Sequence, residues 1–190
     1  MARTGHAVVL VRHGETEWSK NGRHTGTTDL GLTDEGRDVA RRLGERLRPR
    51  RFARVLSSPL SRSLQTARLA GFEDPEIRDE LREWEYGEYE GLTTVEIRER
   101  HPGWLLWRDG CPGGEDAAAV GARADRVIAE LRELDGDALL FSHGHFLRVL
   151  GARWVGLGPE HGAMLGLGTA TLSTVGWERE IAVIWEWNAS

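Results

Sequence analysis

Three things are scarce in this chain: cysteine, long apolar stretches and excess positive charge. The single cysteine, Cys111, cannot form an internal disulfide, which indicates a reducing compartment. No apolar stretch approaches the roughly 20 residues that a membrane-spanning helix needs, so no membrane association is expected. The formal net charge of -5 argues against general binding of nucleic acid. Any positive field that attracts an anionic ligand must therefore be local.

The chain also lacks internal repeats and low-complexity linkers. Its 190 residues suit one domain with a sizeable core, so a single domain over residues 1–190 is expected. The segment Met1–His6 has no apolar signal region, which makes the cytoplasm the expected location. The sequence is compatible with a homodimer.

Alternating strand and helix patterns predict an α/β fold. Thr33 is placed to cap a helix whose apolar face carries Leu43 and Leu47. Such alternation implies a three-layer α/β/α architecture with a mostly parallel sheet, made mixed by a hairpin of the last two strands. Residues 71–115 are the least regular and are the candidate lid or specificity region. The predicted strands cover 6–11, 54–57, 138–142, 170–176 and 181–187, and the predicted helices cover 33–48, 59–70, 93–100, 116–134 and 146–156.

The most informative segment follows the first apolar run. Ala7–Val11 is short and rich in valine, which is typical of a buried strand, and Arg12, His13 and Gly14 follow without a gap. Open α/β sheets bind ligands at this end of their strands. An arginine binds phosphate through a planar fork of donors, and a neutral imidazole can attack phosphorus. Gly14 is expected to let the backbone turn away and a substrate approach.

A second segment combines a short strand, Arg54–Leu56, with the start of a helix. Ser58 is placed as the N-cap and Pro59 as the first helical residue. Arg62 then falls near the positive end of the helix dipole, where an anion binds favourably. Taken alone, an arginine in a helix is more often a solvated surface residue.

Two further segments carry candidate site residues. Within residues 81–91, carboxylates lie among aromatic side chains, which can raise the pKa of a carboxyl group, although acidic loops are also common without function. Residues 138–142 form another strand of the buried type, and His143, Gly144 and His145 follow it. The last segment therefore places imidazoles and a glycine at a strand end, as the first one does.

These four segments, in this order, resemble the histidine phosphatase superfamily over nearly the whole chain. The superfamily includes cofactor-dependent phosphoglycerate mutase, and the resemblance implies a phosphoglycerate mutase-like fold. It also implies that His13 is the nucleophile that becomes phosphohistidine. Glu83 is the implied proton donor, and Glu85 is the alternative. The implied phosphate pocket consists of Arg12, Arg62 and His143.

Several stretches outside the four segments narrow the resemblance. Trp18-Ser19-Lys20, His24-Thr25-Gly26 and Trp107–Cys111 are similar to the subgroup of sedoheptulose-bisphosphatase and related bacterial acid phosphatases. Mutases of the superfamily usually carry asparagine where this chain has Ser19, which favours a phosphatase. The residues expected to face the alcohol part of the substrate are Ser19, Arg23, Thr25, Gly26, Arg108, Gly144 and His145.

The resemblance implies a phosphomonoesterase that acts on small phosphorylated metabolites without a metal or another cofactor. Sugar bisphosphates are the leading candidate substrates, and a broad acid phosphatase is nearly as well supported. A cofactor-dependent phosphoglycerate mutase is the main alternative. His13, His143 and His145 could instead bind zinc, although arginines at the same place would repel a cation. A non-catalytic protein that binds a phosphorylated ligand is the remaining class, but all five expected site residues are present.

Overall fold

Six strands form one sheet in the computed structural model, which describes residues 5–190. They are β1 (Val8–Arg12), β2 (Arg54–Ser57), β3 (Glu76–Ile77), β4 (Ala138–Ser142), β5 (Leu172–Glu178) and β6 (Ile181–Ala189). The order across the sheet is β3-β2-β4-β1-β5-β6. The first four strands run parallel to one another, whereas β5 pairs antiparallel with both β1 and β6. The sheet is therefore mixed, as predicted.

Helices lie between the parallel strands along the chain, and a further helix follows the last parallel strand. Short 3₁₀ turns lie at Asp79–Leu81, Gly87–Tyr89 and Pro159–Met164. Among the described residues the α-helices are α1 (Glu17–Lys20), α2 (Asp34–Leu47), α3 (Ser61–Leu69), α4 (Thr94–Arg100), α5 (Leu106–Asp109), α6 (Ala117–Arg132) and α7 (Gly144–Trp154).

Alternate residues of the central strands face two separate apolar layers. Val9 and Val11 of β1 pack in one core cluster with residues of α2 and α3. Val8 and Leu10 pack in the other cluster, with residues of α6 and α7. Successive strand residues point to opposite faces of a sheet, so β1 can be buried on both sides only when helices cover both. The two clusters confirm the predicted α/β/α layers.

The apolar and capping patterns located the longer elements well. The predictions for 54–57 and 138–142 have the observed bounds, and the other predicted strands and helices end within two residues of the observed ones. The predicted cap of α2 is confirmed, since the side chain of Thr33 accepts a hydrogen bond from Gly36 N at 3.0 Å. The hydroxyl satisfies one of the four free N–H groups at the start of that helix.

Two predicted helix starts were wrong. Helix α3 begins at Ser61, so Ser58 is not its N-cap and Pro59 is not its first residue. The Ser58 hydroxyl lies instead 2.8 Å from Nε2 of His143. Helix α7 begins at Gly144 rather than at residue 146, because His143 itself takes the extended N-cap conformation. Both differences place polar groups beside the end of β4.

Residues 71–115 are irregular but closely packed. They contain β3, α4, α5 and two 3₁₀ turns. Strand β3, helix α5 and the 3₁₀ turns were not predicted, because an element of two to four residues is too short to show a hydrophobic period. Trp84, Tyr86 and Ile97 from this segment are buried in the same core cluster as residues of α6 and α7. Movement of the segment as a lid stays a prediction.

Within residues 5–190, no helix combines the length and the apolar character that a bilayer span requires. The expected cytoplasmic location depends on Met1–His6, most of which lies outside the described residues.

Candidate active site

A cavity of about 270 Å³ opens where the parallel strands end. Arg12 and His13, at the end of β1, line it together with Gly144, which follows β4. Backbone hydrogen bonds join these ends, because His13 N donates to Ser142 O at 2.9 Å and Ser58 N donates to Phe141 O at 3.0 Å. Side chains that are far apart in the sequence therefore meet at one edge of the sheet.

His13 is held as a neutral imidazole with one nitrogen available. Its Nδ1 donates to Gly14 O at 2.7 Å, so the proton lies on Nδ1 and Nε2 carries the lone pair. Burial, with the charges of Arg62 and Arg12, holds the pKa of His13 well below its ordinary value of 6.5. An unprotonated nitrogen is the form of imidazole that can attack an electrophile.

Gly14 has a packing role that differs from the predicted one. A Cβ at this position would lie 2.7 Å from Gly36 O, in the first turn of α2. The Gly14 N–H donates to the Thr66 hydroxyl of α3 at 2.9 Å. The glycine therefore admits the backbone of a neighbouring helix, and the approach of a substrate at this position stays a prediction.

Arg12 is half-buried beside the start of α7. One of its terminal nitrogens, Nη1, donates to Leu167 O, and a Cβ at Gly144 would lie 3.2 Å from its guanidinium. Its Nε is buried and has no hydrogen-bond partner within residues 5–190. A guanidinium stays protonated at ordinary pH, so this side chain presents a fixed positive charge and a free donor.

Arg62 and His143 are fully buried and form a hydrogen-bonded pair. Arg62 Nε donates to Nδ1 of His143 at 3.1 Å, which leaves the imidazole proton on Nε2, facing the Ser58 hydroxyl at 2.8 Å. Burial lowers the pKa of His143 well below its ordinary value, with Arg62 the next cause. The His13 and His143 rings lie edge to face, 5.1 Å apart. A phosphate oxygen would have to compete with Ser58 for the Nε2 proton of His143.

Arg62 also holds the loop that covers it. Its Nη1 donates to Thr28 O at 3.0 Å, and its Nη2 donates to Thr25 O at 3.0 Å and to Gly26 O at 2.9 Å. The predicted substrate residues Thr25 and Gly26 therefore bind the arginine through their carbonyl oxygens. Thr25 also lines the cavity, whereas Gly26 N donates to the carboxylate of Glu90.

Glu83 lines the cavity, whereas Glu85, two residues further along, is exposed and does not line it. The Glu83 carboxyl sits on the first turn of α7: Oε2 accepts from His145 N at 3.0 Å and Oε1 from Phe146 N at 2.8 Å. Oε1 also accepts from Trp84 N at 3.0 Å. A helix N-terminus stabilises a carboxyl group in this position, and the three bonds fix its orientation.

Some of the residues predicted to face the alcohol part of the substrate line the cavity, and others do not. Ser19, Arg23 and His145 line the cavity beside His13. The Ser19 hydroxyl is engaged, because it donates to Thr16 O at 2.9 Å. Arg23 donates to Gly91 O and is paired with Glu96, at 3.2 Å between Nη1 and Oε2.

Arg108 was wrongly placed in the site. It is exposed and binds Asp109 and Gly103 O, away from the cavity that holds His13. Its position in an irregular segment allowed either arrangement. The neighbouring carboxylate captures the guanidinium at the surface, and Arg108 holds the pKa of Asp109 at about 2.

Comparison with known proteins identifies the family. Residues 8–190 match the histidine phosphatase superfamily (branch 1). The chain belongs to this superfamily. An acid phosphatase from Mycobacterium tuberculosis is 44% identical, over 97% of this chain and 94% of the relative. A sedoheptulose 1,7-bisphosphatase from Saccharomyces cerevisiae is 39% identical, over 80% of this chain and 68% of its own.

A solved structure from Mycobacterium tuberculosis confirms the fold of this histidine phosphatase. It superposes with a TM-score of 0.95 at 42% identity, covering 98% of this chain and 99% of that one. Phosphoglycerate mutases are also relatives: one from Gloeobacter violaceus is 34% identical over 80% of this chain and 77% of its own. The predicted superfamily and α/β/α fold are both confirmed.

Six cavity residues of the histidine phosphatase escaped the sequence reasoning: Gly22, His24, Tyr86, Thr94, Arg148 and Leu167. Tyr86 Oη lies 2.6 Å from Nδ1 of His145, and the rings of His24 and Tyr86 are 4.7 Å apart. Arg148 follows Gly144 by four residues on α7, so the two share a helix face. That spacing was the available signal for Arg148.

The alternative zinc site finds no support in the geometry. The nitrogens of His143 bind Arg62 and Ser58, and Nδ1 of His145 binds Tyr86. Among residues 5–190, no group of three His, Cys, Asp or Glu side chains is arranged to hold a metal ion.

Acidification is expected to destabilise this histidine phosphatase already at pH values above those at which carboxylates titrate. Burial lowers the pKa of His24 to about 4 and holds the pKa values of His13, His143 and His145 well below 6.5. Below 6.5 the unfolded chain therefore binds protons that the folded chain does not, and stability falls as pH falls. Each of the four histidines contributes at most about 1.4 kcal/mol per pH unit in this window.

Urea unfolding measured from about pH 7.5 to about pH 5 tests this expectation, since the free energy of unfolding gives the slope directly. His24→Gln, which cannot titrate, should reduce that slope while the other three histidines keep their share. Stability that is constant or increases on acidification would contradict it.

Proposed function

We propose that this histidine phosphatase is a metal-independent phosphomonoesterase that hydrolyses small phosphorylated metabolites through a phosphohistidine intermediate. The observation that carries the proposal is the state of His13, a neutral imidazole whose Nε2 carries the lone pair and whose ring feels the charges of Arg62 and Arg12. The activities named for the acid phosphatase and bisphosphatase relatives support the same reaction. The expected place of action is the cytoplasm.

In the first step, Nε2 of His13 attacks phosphorus and the bond from phosphorus to the alcohol oxygen breaks. Arg12 and Arg62 neutralise the nonbridging oxygens, where fixed positive charge stabilises the transition state. Glu83 gives its proton to the departing alcohol. Oε1 of Glu83 accepts two N–H donors and Oε2 accepts one, so Oε2 has room for that proton.

In the second step, Glu83 takes a proton from water, and the resulting hydroxide attacks the phosphorus of phosphohistidine. The P–N bond breaks, and His13 recovers its lone pair. The hydrogen bond from Nδ1 to Gly14 O holds the ring through both steps, so the same nitrogen leaves and attacks. The arginines supply the positive charge, and the cycle uses no metal.

A single assay separates the phosphatase from its alternatives. The protein is given 3-phosphoglycerate with a trace of 2,3-bisphosphoglycerate, and in parallel a panel of phosphorylated metabolites, all without added metal. Phosphate release faster than isomer exchange is expected. Faster exchange would establish a mutase, activity restored only by zinc would establish a metallohydrolase, and phosphate binding without turnover would establish a binding protein.

The alcohol side of the cavity supports substrates that carry a second anionic group. Arg148 lines the cavity and is held there by Gly162 O at 3.0 Å from Nε and by Ala163 O at 3.1 Å from Nη2. Its guanidinium lies 4.6 Å from the ring centroid of Trp107. A rise of 1.5 Å per residue puts it roughly 6 Å along α7 from Gly144, within the span of a small bisphosphate. Sugar bisphosphates are therefore the substrates that we favour.

Replacing Arg148 by glutamine should raise KM for a sugar bisphosphate by about 10- to 100-fold, the value of one charge-assisted hydrogen bond. KM for nitrophenyl phosphate, which has no second anion, should change little. Arg153→Gln is the matched control, because Arg153 lies on the same helix and pairs with Asp125 away from the cavity. Equal effects of Arg148→Gln on both substrates would show that Arg148 does not bind a second anionic group.

A further inference from the structure

The loop that anchors Arg12 is held locally at one end. Arg12 Nη1 donates to Leu167 O, and glycines flank Leu167 on both sides. After Leu167, Thr171 Oγ1 donates to Gly168 O at 2.9 Å and Ala170 N donates to Arg12 O at 3.0 Å. A Cβ at Gly166 would meet nothing within 4 Å, so close packing does not fix the backbone before Leu167. The position of the Leu167 carbonyl therefore depends also on contacts from another part of the molecule.

The end of the last strand makes that contact. Trp187 Nε1 donates to Gly166 O at 2.6 Å, and Gly168 N donates to Oδ1 of Asn188 at 2.6 Å. Two adjacent side chains of β6 therefore hold the peptide on both sides of Leu167. We call Trp187 and Asn188 the β6 clamp.

The backbone of β6 is shaped so that both clamp residues reach the loop. In a regular strand, adjacent side chains point to opposite faces. Asn188 has a φ of 59°, in the left-handed region, which breaks this alternation. Asparagine tolerates that region better than most residues. The backbone N–H of Asn188 donates to the Ser173 hydroxyl of β5 at 3.0 Å, which stabilises this left-handed backbone conformation.

Trp187 is fixed from its other side. Its ring packs against Gly151 of α7, where a Cβ would lie 2.7 Å from the ring atoms. Helix α7 also begins at Gly144, against which the Arg12 guanidinium packs. The clamp, the loop and the phosphate end of the site therefore rest on one helix.

We propose that Trp187 and Asn188 are positioning residues that set Arg12 for anion binding through the carbonyl oxygen of Leu167. The inference rests on the proposed function in one respect, since it takes Arg12 as a phosphate ligand. Within residues 5–190, the Arg12 guanidinium packs against Gly144 and donates to Leu167 O, and its Nε has no hydrogen-bond partner. A shift of the Leu167 carbonyl therefore changes the direction of the donors that face the cavity.

The test uses substitutions that remove the clamp bonds. Trp187→Phe deletes the indole donor and keeps an aromatic ring, and Asn188→Gly deletes the acceptor and keeps the left-handed backbone. Together they should weaken binding of inorganic phosphate, measured by calorimetry, and reduce kcat/KM, each by about tenfold. Trp187→Phe also loses ring atoms that pack on Gly151, so its melting temperature should fall, whereas that of Asn188→Gly should stay close to the wild type while phosphate affinity falls in both single variants. Asn188→Asp, which keeps an acceptor, should bind phosphate as the wild type does.

A double-mutant cycle with Arg12→Lys identifies the route of the effect. Lysine lacks the planar fork that binds both Leu167 O and an anion, so the clamp substitutions should add little in that background. Full additivity, or unchanged phosphate affinity in the clamp double variant, would overturn the inference. Wild-type protein that binds phosphate but hydrolyses no ester would refute the proposed function alone, because phosphate affinity would still report on the clamp.

Discussion

Replacing His13 by alanine is expected to reduce turnover of every phosphomonoester by at least about 10⁴-fold, as loss of a nucleophile does in other covalent enzymes. In the proposed mechanism Nε2 of His13 forms the bond to phosphorus, and water in the vacated space is a poorer nucleophile. The wild-type protein, quenched during turnover, should carry phosphate that is stable in alkali and labile in acid. His13→Ala should carry none.

Two controls make the His13 result specific. His161→Ala removes a histidine that pairs with Glu160 outside the cavity, and it should keep wild-type activity. Added imidazole should restore part of the activity of His13→Ala, because it can enter the space that the side chain leaves. Retention of a tenth of the wild-type rate by His13→Ala would rule out the nucleophilic role.

Replacing Glu83 by glutamine is expected to slow a sugar phosphate far more than a nitrophenyl ester. An alkoxide leaving group needs a proton in the transition state, whereas a nitrophenolate needs little help. General acid catalysis contributes about 10²- to 10⁴-fold, so the two substrates should separate by a factor in this range. Measurement of kcat on both esters gives the ratio directly.

Glu85→Gln is the matched control for Glu83→Gln. Glu85 is exposed and does not line the cavity, so its substitution should leave both substrates unaffected. The amide that Glu83→Gln introduces places its NH₂ group against a backbone N–H of α7, so the melting temperature of this variant should be measured too. If Glu85→Gln gave the leaving-group effect and Glu83→Gln did not, the proton donor would be Glu85.

The sequence predicted the long elements because burial imposes a period on them. The strands at 54–57 and 138–142 are short apolar runs that end in serine, and their bounds were correct. Helices α1 and α5 have four residues each and β3 has two, too few for a period to show. The start of α3 was misplaced because a serine followed by a proline is also compatible with a loop. In this loop the Ser58 hydroxyl forms a hydrogen bond with His143, which is distant in the sequence.

The site was predictable where it follows the strands and unpredictable where it depends on side-chain direction. Arg12, His13 and His143 meet because parallel strands end at one edge, a consequence of topology alone. His24 and Tyr86 reach the same cavity through tertiary packing that no local pattern encodes. Arg108 shows the converse, since an adjacent aspartate captured a guanidinium that the motif placed in the site.

The strand order has a consequence for how the protein is made. Strand β1, which carries Arg12 and leads to His13, pairs only with β4 and β5, and both follow residue 137. During synthesis, β1 therefore leaves the ribosome before either of its partner strands. An apolar strand without partners is prone to aggregation and is a target for chaperones. Catalytic competence should therefore arise only after β4 and β5 have been synthesised, and translation products that end before β5 should have no hydrolase activity.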